Sequence, residues 1–154
     1  MGLEQTSREI SMSSINRNPP ALAVGRFKKE IINNGWLYNT APHIPKMIKK
    51  GWGYELWIAN FDYCGKILHV NKGKCCSMHF HINKTETFRI LSGKIKLTLI
   101  HAGGEYEHTC LSQGDTIDIT PGLMHQFYGL EKSEIIEVSS HHEDKDSYRV
   151  SRGD

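Results

Sequence analysis

Two histidines and one glutamate stand close together in the segment 73–93, whose sequence otherwise alternates like a β-strand. Side chains two residues apart face the same side of a strand, so His79 and His81 point together and Phe80 points away. Imidazole and carboxylate groups can bind a metal or exchange protons. One face therefore presents two imidazoles, and the question is whether Glu86 joins them.

Glu86 begins the next alternating run, in which it shares a face with Phe88 and Ile90. If that face is the interior of the fold, Glu86 joins the two histidines. The alternative is that the histidines are exposed and that Glu86 pairs with Lys84 or Arg89. An isolated His-x-His pattern favours this alternative, so the choice depends on the rest of the sequence.

A second cluster with similar features lies in "GDTIDITPGLMHQF". It has a glycine turn at Gly114, a short alternating run, a turn at Pro121 and Gly122, and then His125 at the start of another run. Glycine supplies the positive φ that tight turns between strands require. The chain thus presents a second strand-borne histidine in a comparable setting.

Together the two clusters resemble the two motifs of the cupin superfamily. The first motif is matched at every position by two glycines, two histidines and a glutamate: Gly73, His79, His81, Glu86 and Gly93. Residues 114–125 resemble the second motif, with Thr120 where a proline is usual and Gly129 where an asparagine often follows. Neither departure falls on a metal ligand of that family. The resemblance implies an all-β, single jelly-roll barrel over about residues 50–140. It also implies one metal, held by His79, His81, Glu86 and His125.

The chemistry of these four ligands agrees with that implication. Three neutral imidazoles and a carboxylate suit one divalent first-row transition metal, and the set does not select among Zn, Mn, Fe, Co and Ni. A six-coordinate metal would keep two positions for water or a chelating substrate. We leave Cys75 and Cys76 out of the ligand set, because thiolates favour other metals and buried cysteines are commonly structural.

The elements that must position these residues are short strands. From Trp52 onward, nine β-rich runs recur between turn signals, which predicts a sandwich or barrel. Together with the resemblance, this implies a cupin domain at 51–154. Residues 1–50 hold four of the five prolines and predict an N-terminal arm. Within this arm, the segment 21–35 has apolar residues near helical spacing, which indicates a possible short helix.

The flanks of the barrel resemble those of the cupin-type (type II) phosphomannose isomerases. In that family a "WG-x-x-E" segment precedes the barrel, and an "IIEV" strand leads into an acidic stretch with an arginine. The matching residues here are Trp52, Gly53, Ile135, Ile136, Glu137, Val138, Asp144, Asp146 and Arg149. The resemblance implies an isomerase similar to mannose-6-phosphate isomerase.

Isomerisation or epimerisation of a sugar or sugar phosphate needs a Lewis acid at the substrate oxygens and a base that moves a proton next to a carbonyl. Glu137 is the candidate base, and the alternative is that it faces solvent beside Lys132. Lys66, Arg89 and Arg149 are candidate substrate-binding residues. Two other functions stay open, namely an Fe- or Ni-dependent cupin dioxygenase and a non-catalytic sugar-binding module.

The charge and the hydropathy of the sequence indicate which compartment and which partners to expect. The formal net charge of +2 is spread along the 154 residues without a dense basic stripe, which disfavours nucleic acid as a partner. The sequence shows neither an apolar membrane span nor a secretory signal, so we expect a cytoplasmic protein of carbohydrate metabolism. We expect a small carbohydrate as ligand, and a homodimer, because an open jelly roll leaves edge strands to be covered.

Overall fold

The computed structural model describes residues 42–154, which form eleven β-strands and one short 3-10 helix at Asp144–Asp146. No helix in this part of the chain is long and apolar enough to cross a membrane. The strands are β1 Lys46–Lys50, β2 Gly53–Asn60, β3 Tyr63–Val70, β4 Met78–Phe80, β5 Glu86–Ser92, β6 Lys94–Ile100, β7 Tyr106–Ser112, β8 Thr116–Ile119, β9 Met124–Gly129, β10 Ser133–Ser140 and β11 Tyr148–Ser151.

The strands form two antiparallel sheets. One has six strands in the order β1-β2-β3-β10-β5-β8, and the other has five in the order β11-β4-β9-β6-β7. Neighbours in the sheets are mostly not neighbours in sequence, because the chain crosses between the sheets as a jelly roll requires. The predicted all-β jelly-roll fold is confirmed.

The interior between the sheets has an apolar part and a polar part. Strand residues alternate between buried and exposed, as the period of two requires. The apolar part is a cluster of aliphatic and aromatic side chains that includes Ile90, Ile95, Leu97, Leu99, Ile119, Phe127 and Ile135. The same inward faces also bury charged groups, which include Lys66, Glu86 and Glu137. Buried charges are rare unless they are paired, so the polar part marks the candidate functional site.

The strands β1 and β11 extend the sheets beyond the nine predicted runs. β1 pairs with β2, and its first residue, Lys46, lies inside the segment predicted as an N-terminal arm. β11 pairs with β4, the strand that carries His79. The predicted helix in segment 21–35 and the arm up to residue 41 lie outside the described residues.

Candidate metal centre

Three of the predicted ligands converge between two neighbouring strands. His79 on β4 lies opposite His125 on β9 in the sheet, and His81 follows β4 directly. Gly122 helps to hold the two motifs together, because its N–H donates to the carbonyl of His81 at 2.7 Å. One nitrogen from each imidazole lies within 4.8 Å of the others. This spacing allows one metal ion to contact all three rings.

Backbone carbonyls fix the tautomer of each ring. The Nδ1 of His79 is 2.8 Å from the carbonyl of Ser77, and the Nδ1 of His125 is 3.0 Å from that of Leu123. The Nδ1 of His81 is 2.8 Å from the carbonyl of Asp146. A carbonyl only accepts, so each Nδ1 carries the proton and each Nε2 keeps a free lone pair. Metal-ligating histidines are commonly held in this way.

Glu86 completes the donor set. Its Oε2 lies 3.1 Å from the Nε2 of His125 and 3.5 Å from the Nε2 of His81. Among residues 42–154, this carboxylate oxygen and the Nε2 of His125 are buried without a hydrogen-bond partner. Two acceptor atoms repel each other at such a distance unless a cation lies between them. The donor set therefore fits the divalent metal that was predicted.

Burial keeps the site in the protonation state that a metal needs. Burial, with a smaller contribution from the neighbouring His125, lowers the pKa of His79 to about 3. Burial also lowers the pKa of His81. For Glu86, burial alone would raise the pKa, but the Lys84 ammonium beside its Oε1 outweighs burial and lowers it. Near neutral pH the two shifted imidazoles are neutral and the carboxylate is ionised.

Lys84 is a residue of the site that the sequence analysis did not select. Its Nζ donates at 2.5 Å to Glu86 Oε1 and at 2.5 Å to Glu137 Oε1, and the residue is only 3% exposed. Burial alone would lower the pKa of Lys84, but the charges of Glu137 and Glu86 outweigh it and raise the pKa. The alternative in which the histidines are exposed is wrong, since His81 is 4% exposed. Its pairing of Glu86 with Lys84 is nevertheless present, because one oxygen of Glu86 contacts Lys84 and the other faces the histidines. The two-residue spacing of Lys84 and Glu86 was the available signal.

Glu137 lies inside the barrel on β10 and is 4% exposed, so the alternative in which it faces solvent beside Lys132 is wrong. Besides Lys84, its Oε1 contacts Lys66 Nζ at 3.4 Å. Lys66 is 2% exposed, and its ammonium lies 4.7 Å from the centre of the Trp57 ring. Glu137 is thus a carboxylate held between two buried ammonium groups.

His142 connects this buried group to the surface. Its Nδ1 lies 3.1 Å from Lys66 Nζ, and its Nε2 lies 3.2 Å from Asp144 Oδ1. Lys66 can only donate and Asp144 accepts, so the ring proton is on Nε2. The sequence analysis did not select His142, because nothing in its acidic surroundings indicates a contact with β3.

Asp146 supports the metal ligands from the 3-10 helix. Its carboxylate accepts from three successive backbone N–H groups, those of Ile82, Asn83 and Lys84, at distances of 3.0 to 3.3 Å. Its own carbonyl accepts from His81 Nδ1. Asp146 therefore holds both the ligand His81 and the loop that carries Lys84.

The predicted substrate-binding residues lie in different places. Lys66 and Arg149 line the same cavity of about 330 Å³ as His79, His81, Glu86 and Glu137. Arg89 does not, and its selection is corrected here. It alternates with the buried Phe88 and Ile90, so its side chain is on the outer face of β5, where it donates to the carbonyl of Gly114 at 3.0 Å.

The cysteines have no geometry for metal binding among the described residues. The Sγ of Cys76 accepts the backbone N–H of Phe127 at 3.3 Å, and burial raises the pKa of its thiol well above the ordinary value. A protonated thiol is a poor ligand. Cys75 is partly exposed, and its pKa is also raised by burial. The decision to leave both cysteines out of the ligand set agrees with these contacts.

Comparisons with known proteins agree with this geometry. A family model described as Cupin matches residues 65–151. No curated protein sequence matches the chain. Among solved structures, Bacillus subtilis oxalate decarboxylase is similar with a TM-score of 0.63 and 14% identity, over 73% of this chain and 34% of that chain. The formate complex of Lactobacillus farciminis oxalate decarboxylase is similar with a TM-score of 0.62 and 16% identity, over 73% of this chain and 38% of that chain. KdgF from Halomonas sp. is similar with a TM-score of 0.56 and 20% identity, over 65% of this chain and 91% of that chain.

The structural matches and the family model support different conclusions. This chain spans about a third of the length of the oxalate decarboxylases that it matches. At such identities the structural likeness shows the fold. The family model covers more than half of the chain and includes all three histidines of the cluster. The chain therefore belongs to the cupin family, and its cluster of His79, His81 and His125 fits metal binding.

Proposed function

We propose that this protein is a metal-dependent isomerase or epimerase that moves a proton next to the carbonyl of a small sugar or sugar phosphate. The observation that carries the proposal is the position of Glu137. This buried carboxylate lines the same cavity as His79, His81 and Glu86. A metal site and a separate carboxylate in one enclosed cavity are the two groups that such a proton transfer needs.

His79, His81, Glu86 and His125 would hold the metal, which would act as a Lewis acid on neighbouring substrate oxygens. Mn(II) is the first metal to test, because the oxalate decarboxylase of Bacillus subtilis has Mn(II) centres. The same donor atoms also suit Fe, Co, Ni and Zn. Metal identity is therefore part of the experiment.

Glu137 takes the proton from the carbon next to the carbonyl and returns it to the neighbouring carbon. Lys84 and Lys66 hold its Oε1 in place, while Ser139 donates its hydroxyl to the same oxygen at 3.3 Å. These three donors all hold the same oxygen of Glu137, which fixes the orientation of the carboxylate.

Lys66 and Arg149 would bind the hydroxyl groups or the phosphate of the substrate. The cavity volume of about 330 Å³ is near the lower end of the range for ligand sites, which favours a small molecule. Arg149 lies on β11 opposite His79, at the rim of the cavity. A guanidinium in this position could bind an anionic end of a substrate whose carbonyl end reaches the metal.

Incubation of the Mn-loaded protein with aldoses, ketoses and their phosphates in deuterated water tests the proposal. NMR should show deuterium at the carbon next to the carbonyl. Glu137→Gln should lower turnover at least about 100-fold while metal content stays unchanged, because glutamine keeps the shape but loses the basicity. Glu134→Gln is the matched control, since Glu134 is on the outer face of the same strand and contacts His69 instead.

Three results would contradict the proposal. Full turnover in Glu137→Gln would remove this residue from the reaction. Consumption of oxygen with a substrate would favour the dioxygenase. Binding of a sugar without turnover under every metal would favour the non-catalytic module.

A further inference from the structure

The structure contains an unbroken polar path from Glu137 to solvent. Glu137 Oε1 contacts Lys66 Nζ at 3.4 Å, Lys66 Nζ contacts His142 Nδ1 at 3.1 Å, and His142 Nε2 contacts Asp144 Oδ1 at 3.2 Å. The inner groups are almost fully buried, whereas the side chain of Asp144 is 97% exposed. Each contact has a donor on one side and an acceptor on the other.

We infer that His142 and Lys66 form a proton relay between Glu137 and solvent. The inference rests on the proposed function, because it assigns a route to the proton that Glu137 removes from the substrate. The relay matters when the substrate fills the cavity, since bulk water then has no direct access to the buried carboxyl group. His142 becomes the group through which that proton exchanges with water.

The transfer is balanced at every atom. Lys66 gives a proton to His142 Nδ1, and the amine that results takes the proton from the Glu137 carboxyl group. The His142 imidazolium then releases its Nε2 proton towards Asp144 and water. Glu137 is again a carboxylate and Lys66 again an ammonium, and His142 now carries its proton on Nδ1. A solvent proton that enters at Nε2 drives the same steps in reverse.

The surroundings of His142 suit this role. Its backbone N–H donates to Asn60 Oδ1 at 2.8 Å, and its carbonyl accepts from Asn60 Nδ2 at 3.0 Å. The ring of Trp57 packs against the imidazole edge-to-face, with 4.8 Å between ring centres. The imidazole therefore keeps its position. Burial lowers the pKa of His142, and the charge of Lys66 lowers it further, so the ring is neutral and able to accept a proton near pH 7.

Isotope retention tests the relay. A sugar substrate that carries deuterium next to the carbonyl is converted in ordinary water, and the fraction of deuterium kept in the product is measured by NMR. In His142→Gln the exchange route is closed, so the retained fraction should rise several-fold at unchanged metal content. His141→Gln is the matched control, because His141 contacts the carbonyl of Phe61 outside the relay. Added imidazole should lower the retained fraction again in His142→Gln, which a merely structural role would not produce.

A second measurement needs no turnover. The titration of His142 is followed by NMR in protein labelled at histidine, with and without Lys66→Met. Loss of the ammonium at 3.1 Å should raise the pKa of His142. Lys66→Gln serves the same purpose if the methionine variant does not fold.

The outcomes separate the two ideas. If no sugar reacts, the proposed function is wrong, and with it the use of the relay in catalysis. If sugars react but isotope retention is the same in His142→Gln as in the unchanged protein, the relay is wrong and the proposed function stands. An unchanged pKa of His142 in both Lys66 variants would also overturn the relay.

Discussion

At the scale of single residues, the direction of a ring proton decides what the site can do. All three histidines donate a hydrogen bond from Nδ1–H to a backbone carbonyl, so their Nε2 atoms carry no proton and lie close to one another. Glu86 divides its oxygens between Lys84 and the histidines. The Nε2 lone pairs and the carboxylate oxygen repel one another while the site is empty, and a bound cation removes this repulsion.

The first prediction is that the purified protein carries about one divalent first-row metal per chain. The double variant His81→Ala and His125→Ala should lose this metal, because two of the four ligands are gone. Elemental analysis by mass spectrometry measures the metal. The matched control is His101→Ala with His108→Ala, since both lie outside the cavity. Full occupancy in the double variant would disprove the ligand assignment.

At the scale of elements, the 3-10 helix near the end of the chain organises the loop between β4 and β5. Asp146 in this helix accepts the backbone N–H groups of Ile82, Asn83 and Lys84. The loop carries Lys84 inward, and β5 then begins at Glu86. One side chain thereby couples the geometry of a metal ligand to that of a buried ammonium.

The second prediction concerns this coupling. Asp146→Ala should lower metal affinity about 10- to 100-fold, as expected when a group that orients a ligand is removed. Competition with a chromogenic chelator measures the affinity. Glu143→Gln is the control, because Glu143 is exposed and pairs with Lys145. Equal affinity in the two variants would show that the loop keeps its shape without Asp146.

Strand prediction succeeded where one face of a strand is buried. All nine predicted runs are strands, because burial on one side imposes an alternation that the sequence records. β11 lacks this signal, since all four of its residues are exposed, and β1 has no fully buried residue. Edge strands of this kind are fixed by backbone pairing with a neighbour, which no local pattern reveals.

The candidate site could be predicted only where it follows a motif. The four proposed metal ligands come together as the cupin resemblance implied. Lys84 was named only as an alternative partner of Glu86, Asp146 only as part of the acidic stretch, and His142 not at all. The burial of these residues depends on contacts between segments 62 to 76 residues apart. A lysine in a turn or a histidine in an acidic stretch is ordinarily solvated. Arg89 was selected wrongly because its charge was considered without the face on which it lies.

At the scale of the whole molecule, the two sheets differ in their outer faces. The six-stranded sheet presents a row of apolar side chains across its strands: Met47, Leu56, Ile67 and Ile136. Val138 beside them is 54% exposed. The outer face of the five-stranded sheet is instead mixed, because the polar residues Lys96, Thr98, His108 and Gln126 interrupt its apolar and aromatic ones. A contiguous exposed apolar patch is commonly an interaction surface.

The third prediction is that the protein is a homodimer that uses the apolar outer face. A two-fold interface buries the same patch on both copies, so one charge introduced there acts twice. The pair of substitutions Met47→Lys and Val138→Lys should give a monomer by light scattering, with metal content unchanged. Tyr106→Lys, on the other sheet, is the control and should stay dimeric. A protein that is monomeric before any substitution would refute the dimer.

The buried charges around the metal site make metal binding depend on the anions in solution. Around the metal site, Lys66 and Lys84 contribute two positive charges, and Glu86 and Glu137 contribute two negative ones. Asp146 adds a third buried carboxylate beside His81. The buried groups therefore offset one of the two charges of a divalent cation and leave an excess of one positive charge. An anion that enters beside the metal removes this excess, and each of the two ions then strengthens the binding of the other. The site therefore binds a cation and an anion together, and the anions in the surrounding solution affect the affinity of the protein for its metal.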